Sequence, residues 1–178
     1  MTVYLRKFLA PALCLALGAP GVLADSKEMI DTGSQQALAR LRQQSPEAAA
    51  MVDRAVAALV FPDVVKMGFG SGGKYGEGSL LVKGQPVAYY VTAGSNYGLQ
   101  RPANTKSEII LFFDENALKE FRGDVGWVVG VDGKVTVPAT SLDAGEVEGE
   151  SMVGFVFSDE ELAPGSPLEG SKITPIAR

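Results

Sequence analysis

The residues whose types and spacing could do chemistry lie in one glycine-rich stretch of the chain, residues 60–78. Residues 68–73 read Gly-Phe-Gly-Ser-Gly-Gly and match G-x-G-x-x-G, a pattern in which the backbone cradles a pyrophosphate. Ser71 and Lys74 match S-x-x-K, in which a serine acts as the nucleophile. Both patterns need a helix, either to open beside the last glycine or to bring the lysine back to the serine.

The sequence around the stretch argues against both readings. Residues 74–82 read as a strand, and no acid lies between Glu77 and Glu108 to hold a ribose. No S-D-N or K-T-G companion of the hydrolase pattern follows. We therefore expect the stretch to be architectural, an entry from helices into a sheet. Its glycines would pack a strand closely against the alanine-rich residues 48–58.

The first 24 residues have the pattern of a secretory signal peptide. Arg6 and Lys7 precede an apolar segment at residues 8–17, and cleavage is expected after Ala24. The remaining chain, 25–178, contains no cysteine and no histidine, since Cys14 lies in the signal. This composition excludes a thiol nucleophile, an imidazole base and a cysteine or histidine metal site. Alternating carboxylates at residues 146–150 read as a solvated hairpin, and we expect no metal and no cofactor.

Charge is divided unevenly along the chain. Residues 25–106 carry nine basic and seven acidic side chains, whereas residues 107–178 carry five and fourteen. A negative chain without a basic patch is not typical of nucleic-acid binding. The division predicts that an anionic surface would meet the first half of the protein.

Hydrophobic patterning predicts an α+β fold in one domain, residues 25–178. Its N-terminal helices pack on a largely antiparallel sheet or partial barrel with one inserted short helix. The expected helices cover 27–44, 46–59 and 115–121, with Ser26, Ser45 and Asp114 as caps. The expected strands cover 79–82, 87–92, 97–100, 108–113, 125–131, 134–137, 152–157 and a closing segment at 168–176.

Several motifs in a fixed order resemble the SYLF domain family, in particular its exported proteobacterial branch. The first runs from Val60-Phe61-Pro62-Asp63 into Gly72-Gly73-Lys74-Tyr75-Gly76-Glu77-Gly78. Further similar motifs follow in order as far as about residue 176, so the resemblance spans nearly all of the chain after the signal peptide. They are Tyr89-Tyr90, Tyr97-Gly98-Leu99-Gln100, Ile109 to Phe113, Gly126 to Gly133, Gly154 to Phe157 and Leu168 to Ile173.

The resemblance implies a periplasmic lipid-binding domain without catalysis. Its partner would be an anionic membrane lipid or another envelope amphiphile, at a membrane surface. Basic and aromatic side chains in the first part of the sheet suit headgroup contact. The expected lipid-binding residues are Lys66, Phe69, Lys74, Tyr75, Lys83 and Arg101. The alternative is a structural envelope protein that binds another protein through an exposed sheet edge.

Overall fold

A computed structural model describes residues 25–67, 73–94, 105–138, 147–158, 161–163 and 168–178, without the side chains of Lys66, Met67, Ser158 and Glu161. In the described chain, two helices come first, and one further helix then interrupts a series of strands. The elements are α1 Lys27–Gln44, α2 Pro46–Arg54, β1 Ala57–Met67, β2 Gly73–Val82, β3 Gln85–Gly94, β4 Lys106–Phe112, α3 Glu115–Gly123, β5 Trp127–Val128, β6 Met152–Ser158, β7 Glu161–Leu162 and β8 Lys172–Ile176.

The eight described strands form one curled antiparallel sheet, a half-barrel in the order β5-β8-β3-β2-β1-β4-β6-β7. The predicted α+β class is therefore confirmed, with helices first and one short helix inserted. β1 lies in the middle, paired with β2 on one side and β4 on the other. This central position explains why Ala57 to Phe61 are all buried.

All three helices begin at the predicted caps. The hydroxyl of Ser26 accepts from the Met29 N–H, that of Ser45 from the Ala48 N–H at 3.1 Å. The Asp114 carboxylate accepts from the Ala117 N–H at 2.8 Å. Each cap satisfies a donor that the first helical turn leaves without an intrahelical partner.

The second helix ends earlier than the sequence predicts, at Arg54 instead of near Leu59. The apolar run that follows belongs to β1, where Pro62 sits at a bulge and not at the end of a helix. A short apolar run suits a buried strand as well as a buried helix. This run forms a strand because it pairs with β2 and β4.

The sheet has a hydrophobic cluster on each face. Along β1, Ala57, Leu59 and Phe61 belong to a cluster that includes Phe121 of α3, which we call the α3-side core. Ala58 and Val60 point the other way, into a cluster beneath α1 and α2. Side chains of a strand alternate between faces, so this central run supplies both cores.

Glycines in β2 allow close approach to β1, not to the helices as the sequence analysis expected. A Cβ on Gly78 would lie 2.1 Å from the Val60 carbonyl oxygen and 2.6 Å from the Phe61 ring. The helix contact is made instead by Gly33 of α1, whose missing Cβ leaves room for Pro62. Glycine therefore serves packing at both positions.

Other predicted elements differ in extent. The strand expected at 125–131 is reduced to Trp127–Val128, and that at 134–137 to a single bridge between Thr136 and Val153. The closing strand begins at Lys172 because residues 168–171 form a turn in which the Ser171 N–H bonds to the Leu168 carbonyl. The short strand β7 was not predicted. The expected strand at 97–100 lies outside the described residues, and so does Glu146 of the acidic segment. Residues 147–150 of that segment form a turn in which the Glu150 N–H donates to the Val147 carbonyl at 3.3 Å.

Candidate functional site

The structure does not gather the predicted lipid-binding residues into one site. Lys74 and Tyr75 lie at the start of β2, whereas Lys83 follows its last residue. Nine residues of extended chain separate Lys74 from Lys83, roughly 30 Å at about 3.3 Å per residue. The two ends of β2 therefore belong to separate surfaces.

Lys74 is buried, which contradicts the expectation that it lies at the surface. Its side chain is 2% exposed, and its ammonium donates to both carboxylate oxygens of Glu108 at 2.6 and 2.7 Å. Glu108 belongs to β4, two strands away from β2. A buried charge is retained when it is paired in this way. The ammonium of Lys74 therefore belongs to the interior, not to a headgroup-binding surface.

Tyr75 lies at the surface, as predicted, but its hydroxyl is engaged. It donates to Glu77 at 2.8 Å, and Glu77 also accepts from the Arg178 guanidinium. Burial, followed by the bond to Glu77, raises the pKa of Tyr75 above its usual value. Its cross-strand partner Val65 is exposed as well. This end of the sheet thus presents a small apolar patch beside a satisfied polar network.

Three further residues were predicted to bind lipid. Phe69 and Arg101 lie outside the described residues, and Lys66 is placed by its backbone alone, opposite Lys74. Their lipid-binding role stays a prediction.

The glycine pattern is not followed by the helix that nucleotide binding needs. Lys74 is in strand β2, which starts at Gly73, so no helix opens after the glycine pattern. This confirms the strand predicted from residue 74. Ser71 lies outside the described residues.

Lys83 occupies an unusual backbone conformation in the two-residue turn between β2 and β3. Its φ is +51° and that of Gly84 is +75°, which is the pattern of a type I′ hairpin turn. Lys83 is the one non-glycine residue with positive φ in the described ranges. Asparagine, aspartate and glycine are the usual residues here, because glycine has no Cβ to clash with the following carbonyl and the short polar side chains of the other two hydrogen-bond to nearby backbone. The Gln35 amide of α1 fixes the turn by donating to the Gly84 carbonyl at 2.6 Å.

A groove opens beside this turn, with a volume of about 850 Å³. The end of α2, the end of β2 and one side of α3 form its walls. Its apolar surface comes from Val56, Val82 and Leu118, which also pack against the α3-side core. The groove is lined by Asp53, Ala55, Val56, Val82, Lys83, Glu115, Leu118, Lys119, Arg122 and Gly123.

Three cations border this groove, which we call the Lys83 groove. Lys119 and Arg122 of α3 join Lys83, and three residues of spacing puts them on neighbouring positions of one helix face. Two carboxylates are present as well, but Asp53 is bonded by Arg42 at 2.8 Å. The lining therefore has an excess of positive charge around apolar side chains.

Lys119 and Arg122 were not predicted, because the division of charge along the sequence indicated a cationic surface in the first half of the chain. The charge division along the sequence does not survive folding at this groove, where α3 from the acidic half packs beside the β2–β3 turn. The helical spacing of the two residues was a signal in the sequence, but their partner Lys83 is 36 residues before Lys119.

A second groove, about 630 Å³ in volume, lies on the other side of the α2 and α3 ends. Arg54 and Phe113 line it, together with Asp114 and residues 147–151. The guanidinium of Arg54 lies 5.8 Å from the centre of the Phe113 ring, a cation–π contact. Two of its three carboxylates have partners: Asp114 caps α3, and Glu150 binds Lys134 at 2.8 Å. These contacts stabilise the junction and leave the groove predominantly polar.

No protein-family model and no curated protein matches the chain. The resemblance to the SYLF family thus stays a prediction. In the described part of the chain, no helix is both long and apolar enough to cross a membrane. Within the same ranges, no group of three or more acidic, cysteine or histidine side chains could hold a metal ion.

Proposed function

We propose that the protein binds anionic amphiphiles of the bacterial cell envelope, without converting them, after export by its N-terminal signal peptide. The observation that carries the proposal is the Lys83 groove, where Lys83, Lys119 and Arg122 border the apolar side chains of Val56, Val82 and Leu118. An anionic amphiphile is complementary to this groove, because its head pairs with the cations and its apolar chain with the apolar side chains.

The two parts of the groove supply different contributions. Cations at the rim interact with a phosphate or carboxylate by charge-assisted hydrogen bonds, weakened by salt because the rim is exposed to water. The apolar floor contributes in proportion to the area it buries, about 0.8 kcal/mol for each methylene group that leaves water. Binding therefore requires both an anionic head and an apolar chain.

The backbone of Lys83 supports a binding role for its side chain. A lysine in the left-handed region is less stable than an asparagine or glycine there. Residues in such conformations are found preferentially at functional sites. The turn places an ammonium group at the groove at some cost to stability, and a purely structural turn would gain by losing it.

The variant Lys83→Asn separates the effect of this residue on stability from its effect on lipid binding. Asparagine suits a type I′ turn, so the variant should unfold at an equal or higher urea concentration. Its association with vesicles that contain phosphatidylglycerol should fall several-fold in flotation at low salt, because one of three cations is lost. Vesicles of phosphatidylcholine alone measure the contribution of charge.

Lys134→Asn is the matched control. Lys134 is an exposed lysine that pairs with Glu150 and lies outside the groove. It should float like the original protein. Equal flotation of the Lys83→Asn and Lys134→Asn variants would show that the groove does not carry lipid binding. Failure of the unaltered protein to float with either lipid, together with no binding of single-chain anionic amphiphiles in solution, would overturn the proposed function.

The alternative of strand addition by a partner protein gains less support. The outermost strands of the described sheet are β5 and β7, and each pairs over only two residues. Short edge strands offer few backbone groups to a partner.

A further inference from the structure

The floor of the Lys83 groove is continuous with the protein interior. Val56, Val82 and Leu118 are partly buried, and each packs against the α3-side core. Leu118 belongs to α3, whereas Val82 ends β2, so the boundary between these two elements runs along the groove. An apolar chain that follows the floor inward must pass between α3 and β2.

α3 is the least anchored wall of this passage. It has nine residues, and Phe121 is its one fully buried side chain. A helix of this length is marginal in water without packing. The Phe121 ring lies 5.0 Å from Tyr90, 5.2 Å from Phe112 and 5.4 Å from Trp127, measured between ring centres. Phe121 therefore holds the helix over the core, while Ala117 and Leu118 pack there only partly buried.

We propose that the ligand is a single-chain anionic amphiphile whose acyl chain inserts between α3 and β2, displacing Leu118 as α3 moves outward about Phe121. The head remains at Lys83, Lys119 and Arg122. This inference rests on the proposed function and specifies it further, because it assigns one detached chain to the interior and not only a membrane surface to the rim.

A series of fatty-acid anions tests the chain directly. Octanoate, decanoate and dodecanoate share one head, and each is used below its micelle concentration. Insertion predicts that affinity rises about four-fold for each added methylene, the factor that corresponds to about 0.8 kcal/mol. Affinity that does not change from octanoate to dodecanoate would overturn insertion. It would leave the proposed function in place, because the octanoate chain can still cover the groove floor while its carboxylate binds the rim.

Leu118→Trp fills the passage and locates the chain. In this variant, affinity should depend less on the length of the fatty-acid chain. Octanoate binding should change much less than dodecanoate binding. Val125→Trp is the control, since Val125 follows α3, is 75% exposed and does not line the groove. A chain-length dependence that persists unchanged in Leu118→Trp would place the chain elsewhere and overturn the inference.

Trp127 reports the movement of α3 without a label. It is the chain's one tryptophan, and its ring packs nearly perpendicular to the ring of Phe121. Dodecanoate should shift its emission with the same midpoint as binding, whereas acetate should not. Saturated dodecanoate binding with unchanged emission would exclude displacement of α3. No binding of any of these anions, together with no flotation, would instead mean that the proposed function itself is wrong.

Discussion

The ion pair between Lys74 and Glu108 is the residue-scale feature that most changes the interpretation of the chain. The two groups come from strands separated by β1, and both are almost fully buried. Taking two charges out of water costs several kcal/mol per ion, so the pair stabilises little as a pair. Its energetic importance lies in what would remain if one partner were lost.

Lys74→Met should lower the free energy of unfolding by about 3–5 kcal/mol, because it leaves the Glu108 carboxylate buried without a partner. The double variant Lys74→Met/Glu108→Leu should recover most of that loss. Urea denaturation of the two variants and of Glu108→Leu completes the cycle. If the double variant were as unstable as the sum of the single ones, the two side chains would not be coupled.

At the scale of elements, the pairing of β1 with β2 depends on glycine residues, which have no side chain. The carbonyl of Val60 and the ring of Phe61 occupy the space where Gly78 would carry a Cβ. The bulge of β1 between Val60 and Asp63 lies opposite this glycine-containing part of β2. Glycine here allows the central strand to twist without separating from its neighbour.

Gly78→Ala should therefore cost at least about 3 kcal/mol, at the upper end of what overpacking costs, because backbone must move to admit the methyl group. Gly123→Ala at the end of α3 is the control. Nothing lies within 4 Å of its Cβ position, so alanine should leave stability unchanged or raise it by about 0.5–1 kcal/mol. Thermal unfolding of both variants checks the pair, and similar losses in the two would contradict the packing role.

At the scale of the whole molecule, the half-barrel and α3 enclose an aromatic core that responds to pH. Burial raises the pKa of the Tyr90 phenol, and the nearby Arg122 opposes this only in part. The unfolded chain therefore ionises first, near pH 10, and binds fewer protons than the folded protein. Stability is full below that pH and falls as the pH rises through the folded pKa.

Tyr90→Phe should reduce this alkaline loss. Urea midpoints measured from pH 8 to 11 should fall less steeply above pH 10 in the variant than in the original protein, since the Tyr90 contribution is absent. Identical slopes would show that Tyr90 ionises equally in both states.

Folding also redistributes charge over the whole molecule. The sequence divides into a weakly basic first half and an acidic second half, yet the Lys83 groove takes one cation from the first and two from the second. Electrostatic interaction depends on distance in space, so a count along the chain does not predict the local field.

The sequence by itself determined the features that depend on near neighbours. Serine and aspartate caps set the starts of three helices, apolar runs marked the strands, and their order was enough for the α+β class. The chain boundaries of β1 and the burial of Lys74 were decided only by pairing with strands that lie far away in sequence. The same holds for the Lys83 groove, since α2, β2 and α3 are brought together by the cores beneath them. Local propensity cannot encode such contacts, because they exist only once the sheet has formed.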